Sequence, residues 1–175
     1  MKTTGISKEK GKRYRLLALN YTRFNQDLEL LEKTGEFKIY KLPFHWQSRF
    51  LNHFYNEVDR SNIGLKKIDK KKQKIFRIFL EDFLFKYYSF LKVSCVIGAA
   101  THYKQDIDWG EVSSSIGFPY IVLHKENLYA SEGYIKQFKI GMKNREKFKG
   151  SHVFVHNDIV RKIWIMKVTV RTISK

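Results

Sequence analysis

Val93-Ser94-Cys95-Val96-Ile97-Gly98-Ala99 is a nearly continuous apolar run that, after Ala100, gives way to Thr101-His102-Tyr103-Lys104. Two later runs end the same way. Pro119-Tyr120-Ile121-Val122-Leu123 meets His124-Lys125-Glu126-Asn127, and His152-Val153-Phe154-Val155 meets His156-Asn157-Asp158. Runs this short and this apolar suit strands buried on both faces. Segments of helical spacing lie between them, and strand–helix–strand alternation is the pattern of a parallel sheet. The expected fold class is therefore α/β, with a mainly parallel sheet of at least five strands and helices on both faces. Ligands of open parallel sheets bind at the carboxyl ends of the strands, so the polar endings mark the edge where a site belongs.

Working outward, Tyr14 to Leu19 reads as the first strand and ends at Asn20-Tyr21-Thr22-Arg23. Phe24, Leu28, Leu30 and Leu31 mark a helix closed by Gly35. Phe37 and Ile39 alternate with Lys38, Tyr40 and Lys41, as in a strand nearer the sheet edge. Phe44 to Val58 has the spacing of one helix, followed by a turn over residues 59–64. A lysine run from Lys66 to Lys74 opens the longest helix, whose Phe76, Phe79, Leu80, Phe83, Tyr87 and Phe90 keep an i, i+3/i+4 rhythm. Arg77–Glu81 and Asp82–Lys86 have the spacing of ion pairs on its opposite face. Asp108 and Glu111 have the spacing of a capping box. Tyr134 to Phe148 reads as a basic helix, a short helix follows Asn157 or Asp158, and residues 167–173 read as a last strand. Residues 1–13 read as a basic flexible tail and 14–175 as a single domain.

Composition narrows the class. The chain has 175 residues, 43% hydrophobic and 15% aromatic, which is globular in character. The single cysteine, Cys95, lies inside an apolar run, so no disulfide framework is expected and a reducing compartment fits. No apolar stretch approaches the ~18 residues of a spanning helix, and the N-terminus has lysines without a signal-like apolar core. A cytoplasmic location is expected, peripheral at the inner membrane face. The formal net charge of +17 attracts polyanions: nucleic acid, an anionic membrane surface or phosphorylated substrates.

Several chemistries lack their motifs. Asn20-Tyr21-Thr22-Arg23-Phe24 stands where a dinucleotide fold carries G-x-G-x-x-G, and there is neither a P-loop nor a G-x-S-x-G elbow. No cofactor and no metal is expected. His102, His124 and His156 each follow an apolar run, but three separate loops impose no ligand spacing on them. One of them is a candidate general base, because an imidazole as such titrates near neutral pH. The candidate catalytic residues are Glu126, His124 and Asp106. The candidate substrate-binding residues are Asn20, Arg23, His102, Tyr103, Lys125 and Asn157.

The phrase Ile116-Gly117-Phe118-Pro119-Tyr120-Ile121-Val122-Leu123-His124-Lys125-Glu126 resembles a segment of GT-B-like glycosyltransferase proteins from bacterial surface-polysaccharide (capsule or O-antigen) gene clusters. Phe148 to Asn157 is similar to a later strand of the same proteins, and Cys95 to Tyr103 to the strand before a binding loop. The resemblance covers roughly residues 93–165 and, more weakly, 14–42. It implies a Rossmann-like three-layer α/β/α domain, half of a GT-B fold. In such proteins the C-terminal half holds the nucleotide-sugar donor, while the N-terminal half binds the acceptor and supplies a base. This chain corresponds to the N-terminal half, with the donor half missing.

The resemblance thus implies an acceptor-binding domain, inactive or incomplete alone, that meets a sugar or lipid-phosphate-linked acceptor. A nucleotide-sugar would be engaged only with a second domain or partner. The alternative from a different class is a basic nucleic-acid-binding module. Lys66–Lys74 and the Lys136–Lys149 helix, with Phe138 and Phe148 interleaved, offer phosphate contacts and stacking rings, although no RRM, KH or helix-turn-helix signature accompanies them.

Overall fold

The computed structural model describes residues 13–101, 103–124, 133, 136, 140 and 143–155. The elements run β1 (Tyr14–Ala18), α1 (Asn25–Lys33), β2 (Phe37–Lys41), α2 (Phe44–Phe54), α3 (Glu57–Asn62), α4 (Lys70–Leu91), β3 (Cys95–Gly98), α5 (Ile107–Ser115), β4 (Tyr120–Leu123) and β5 (His152–Phe154). All five strands join one sheet in the order β2-β1-β3-β4-β5, and every pairing is parallel. This is a Rossmann-like three-layer α/β fold with the 2-1-3-4-5 order of doubly wound sheets.

The two-residue period of the strands splits the core. Leu17 and Leu19 of the first strand run, with Val96, Tyr120 and Val122, face Leu51 of α2, Phe76, Leu80 and Leu84 of α4, and Trp109 and Val112 of α5. Leu16 and Ala18, with Ile39, Cys95, Ile97 and Ala99, face Phe24 and Leu28 at α1. Both faces are thus covered, which is why the central strands read as unbroken apolar runs. Burial pushes the Cys95 thiol up to about 12, so it is an inert core group.

Local departures from the sequence reading have local causes. The stretch from Phe44 to Val58 is not one helix. Tyr55 takes an extended conformation and packs its ring on Phe76 at 5.5 Å, and Asn56 then caps α3 by accepting the Asp59 amide at 2.8 Å. The turn expected over 59–64 is therefore helical through Asn62, with the reversal left to Gly64 at φ 78°. The longest helix opens at Lys70, not Lys66, because Asp69 accepts the Lys71 and Lys72 amides at 2.9 and 3.2 Å. Its Phe76 and Leu80 are core, with Phe79, Phe83 and Tyr87 packed against them, but Phe90 is 77% exposed.

Asp108 and Glu111 form no capping box, and Arg77 does not pair with Glu81. Arg77 instead donates to Asp108 at 2.7 Å and reaches Glu111 and Glu146 at 3.7 and 3.5 Å. Lys149 completes the cluster on Glu111 at 2.6 Å, and Lys70 on Glu146. The Asp82–Lys86 pair forms as its spacing predicts. Residues 133, 136, 140 and 143 are helical, but the basic helix does not reach Phe148: Arg145 bridges antiparallel to Leu65. The tail 1–12 and the last helix and strand read after residue 156 lie outside the described residues.

Candidate functional site

The chain leaves β1 for an α1 on one face of the sheet and leaves β3 for an α5 on the other. Diverging connections of this kind open a crevice at the carboxyl ends of the two strands. The first apolar run ends there at Asn20, in the left-handed region at φ 48° and ψ 35°. Asparagine tolerates this conformation better than most residues. It stops β1 and starts a single 3-10 turn, Tyr21–Arg23, that leads into α1.

The Asn20 side chain closes the strained turn onto β3's exit. Its Nδ2 donates to Asp106 Oδ1 at 2.6 Å, and Gln47 Nε2 of α2 donates to the same oxygen at 3.3 Å. Gln47 Oε1 in turn accepts the Asn20 amide at 3.2 Å. Three separate segments are thereby tied at one point, and all three side chains are buried. Asp106 itself is only 1% exposed, and its Oδ2 has no hydrogen-bond partner. Burial raises its carboxyl from 3.8 to about 7, against the opposing pull of hydrogen bonds from Asn20, Gln47 and the Ala99 backbone.

Beneath this knot, Gly98 leaves room for the Tyr120 hydroxyl, which is buried and makes no hydrogen bond. Desolvation, then the Asp106 charge, raises that phenol well above its ordinary value. A Cβ at Gly98 would overlap the hydroxyl and come within 3.5 Å of Asp106 Oδ2. Gly98→Ala is therefore expected to lose about 2–3 kcal/mol of stability in urea unfolding, the cost of overpacking a tight core. Tyr120→Phe, which deletes an unpaired polar atom, is expected within about 1 kcal/mol of wild type and to recover part of the loss in the double variant. A Gly98→Ala chain as stable as wild type contradicts the close approach.

Around the knot, Arg23 lies over the Tyr103 ring at 5.6 Å, and the Tyr103 carbonyl accepts the Asp106 and Ile107 amides at 2.8 and 3.2 Å. His124 is buried at the end of β4, where its amide donates to Phe154 O at 2.9 Å. A small crevice along the start of α5 is lined by Thr101, Ile107, Gly64, Arg145 and Phe148. Asn20, Arg23, Tyr103, Asp106 and His124 thus all fall at carboxyl ends of strands or in the segments that follow them. Asn20 and Asp106 are bonded to each other rather than open to solvent. His102, Lys125, Glu126 and Asn157 lie outside the described residues. Among the described residues no group of three His, Cys, Asp or Glu is placed to hold a metal ion.

Gln47 was not legible as a site residue. It sits on the buried face of a helix, and only the tertiary packing of α2 against the strand ends gives a lone glutamine this role. No family model matches the chain, and no curated protein or solved structure matches it either.

Proposed function

We propose that this chain is a GT-B-type, acceptor-binding domain of a glycosyltransferase-like protein in bacterial surface-polysaccharide biosynthesis. The observation that carries the reading is the Asn20–Gln47–Asp106 knot at the switch point of a doubly wound parallel sheet. The resemblance of the segments around β4 and β5 gives that switch point its chemistry. The knot fixes the first strand–helix loop against the β3 exit, so the acceptor meets a rigid edge, as positioning requires. Asp106 is a positioning group in this scheme, since its carboxylate is sealed from solvent. Glu126, following β4, is the candidate base for an acceptor hydroxyl; His124 is as buried as Asp106 and in this scheme holds the strand end rather than taking the proton. Stabilisation of a departing diphosphate would come from a second domain or partner.

The test is isothermal titration of the chain with phosphorylated glycans and, separately, with common nucleotide-sugars. Weak glycan binding that falls severalfold with rising salt is expected, with no donor turnover by this chain alone. Tight nucleotide-sugar binding would overturn the assignment. Single-stranded RNA binding far better than either, with a steep salt slope, would move the reading to a nucleic-acid module; Lys66, Lys67, Lys71 and Lys74 are exposed beside the start of α4 and suit phosphates.

A further inference from the structure

The long helix α4 carries two apolar rows, and only one of them is used by the core. Phe76, Leu80 and Leu84 face the sheet. On the opposite side Ile75, Ile78 and Phe85 stand 50%, 58% and 47% exposed. With Lys71 and Asp82 they fall at i, i+4, i+7, i+11 and i+14, a single row along the helix. Lys71, Lys74 and Lys86 are exposed in and beside this row. The one acid within it, Asp82, is neutralised by its pair with Lys86.

From this arrangement we propose that the outer face of α4 lies on an anionic lipid bilayer, with Ile75, Ile78 and Phe85 in the acyl boundary and Lys71 and Lys74 on headgroup phosphates. An interfacial helix needs an apolar strip, flanking cations and enough length, and these 22 residues span about 33 Å. Charge complementarity selects this occupant. A second copy would bring another chain of net charge +17 against a face whose exposed charged groups are mostly lysines. A nucleic acid would find aliphatic Ile75 and Ile78 where stacking needs rings. Among the described residues no helix is long and apolar enough to cross a membrane, so the contact is along the surface. The face belongs to the helical layer and not to the strand ends, so the inference stands or falls apart from glycan binding.

The experiment is co-sedimentation of the full chain with vesicles of phosphatidylcholine alone and of phosphatidylcholine with about 30% phosphatidylglycerol, the share of anionic lipid setting the surface charge that attracts lysines. Binding is expected only to the anionic vesicles and to weaken with salt. Ile78→Ser/Phe85→Ser should weaken it about tenfold or more through lost apolar burial, with the circular dichroism of the exposed-site variant unchanged. Lys71→Gln/Lys74→Gln should weaken it about 30-fold at low salt. Equal binding to both vesicle types, no binding at all, or binding undiminished by either variant overturns the proposal. So does a wild-type dimer in sedimentation that the Ile78→Ser/Phe85→Ser chain loses.

Discussion

Asp106→Asn is expected to gain stability relative to the wild-type chain as pH rises, by on the order of 4 kcal/mol between about pH 4 and pH 8. The carboxyl is raised from 3.8 to about 7 in the folded chain by burial. Between those values the folded chain holds a proton that the unfolded chain has released. The contribution of Asp106 to stability is therefore fully kept below about pH 4, is lost progressively as pH rises, and levels off above about pH 7. Asparagine does not titrate, yet its oxygen still accepts from Asn20 and Gln47, so the variant escapes the decline. Asp106→Leu separates the charge from the hydrogen bonds. It removes the acceptor, strands two buried donors, and is expected to lose about 2–4 kcal/mol even at pH 5. Urea unfolding of the three chains from pH 4 to 8 is the measurement. A difference between Asp106→Asn and wild type that does not move with pH would show that Asp106 is not the titrating group.

Arg77→Met is the second large effect, a loss of about 3–5 kcal/mol. Glu111 keeps Lys149 and Glu146 keeps Lys70, but Asp108, with a side chain only 1% exposed, is left without a cation. Burial raises the Asp108 carboxyl, and the charge and hydrogen bond of Arg77 are the main forces holding it down. Gln73 still donates to Asp108 at 3.1 Å, but a neutral amide does not balance a buried charge. Arg77→Lys is expected to recover little, because a compact ammonium lacks the planar fork whose Nε, Nη1 and Nη2 each face a different carboxylate. The double variant Arg77→Met/Asp108→Asn should recover much of the loss, since the stranded charge goes with its partner. For a chain of this length the single variant should melt roughly 10 °C lower. A Tm within about 2 °C of wild type would mean that the cluster does not hold the fold.

What the sequence revealed, it revealed through burial. β1, β3 and β4 are covered on both faces, so their composition alone betrays them, and Gly35 and Gly117 end α1 and α5 at φ 80° and 79°. The 44–58 segment misled because helical spacing continues past Tyr55, while the break depends on where that ring finds Phe76. Asp108, Glu111 and Arg77 misled for a related reason. Local spacing offered each a partner within a turn, but packing of α4 on α5 offered better ones more than thirty residues away. At the site, the strand ends were legible as an edge. That Asn20 and Asp106 would bond each other, and that Gln47 would clasp both, depends on three segments meeting.

The all-parallel sheet also fixes the order in which the chain can assemble. None of the described strands pairs through a hairpin, so each must wait for a crossover to be made. β1 finds β2 early, across α1, but its other neighbour β3 arrives only after α2, α3 and α4 have been synthesised. Asn20 and Asp106 are 86 residues apart. Contacts of such separation carry the entropy of closing a long loop before they return anything. Asn20 and Gln47 are thus present on the nascent chain long before the carboxylate that joins them. The interval ends when the connection after β3 brings Asp106 to the end of β1, and the bond made there ties the first strand to the middle of the sheet.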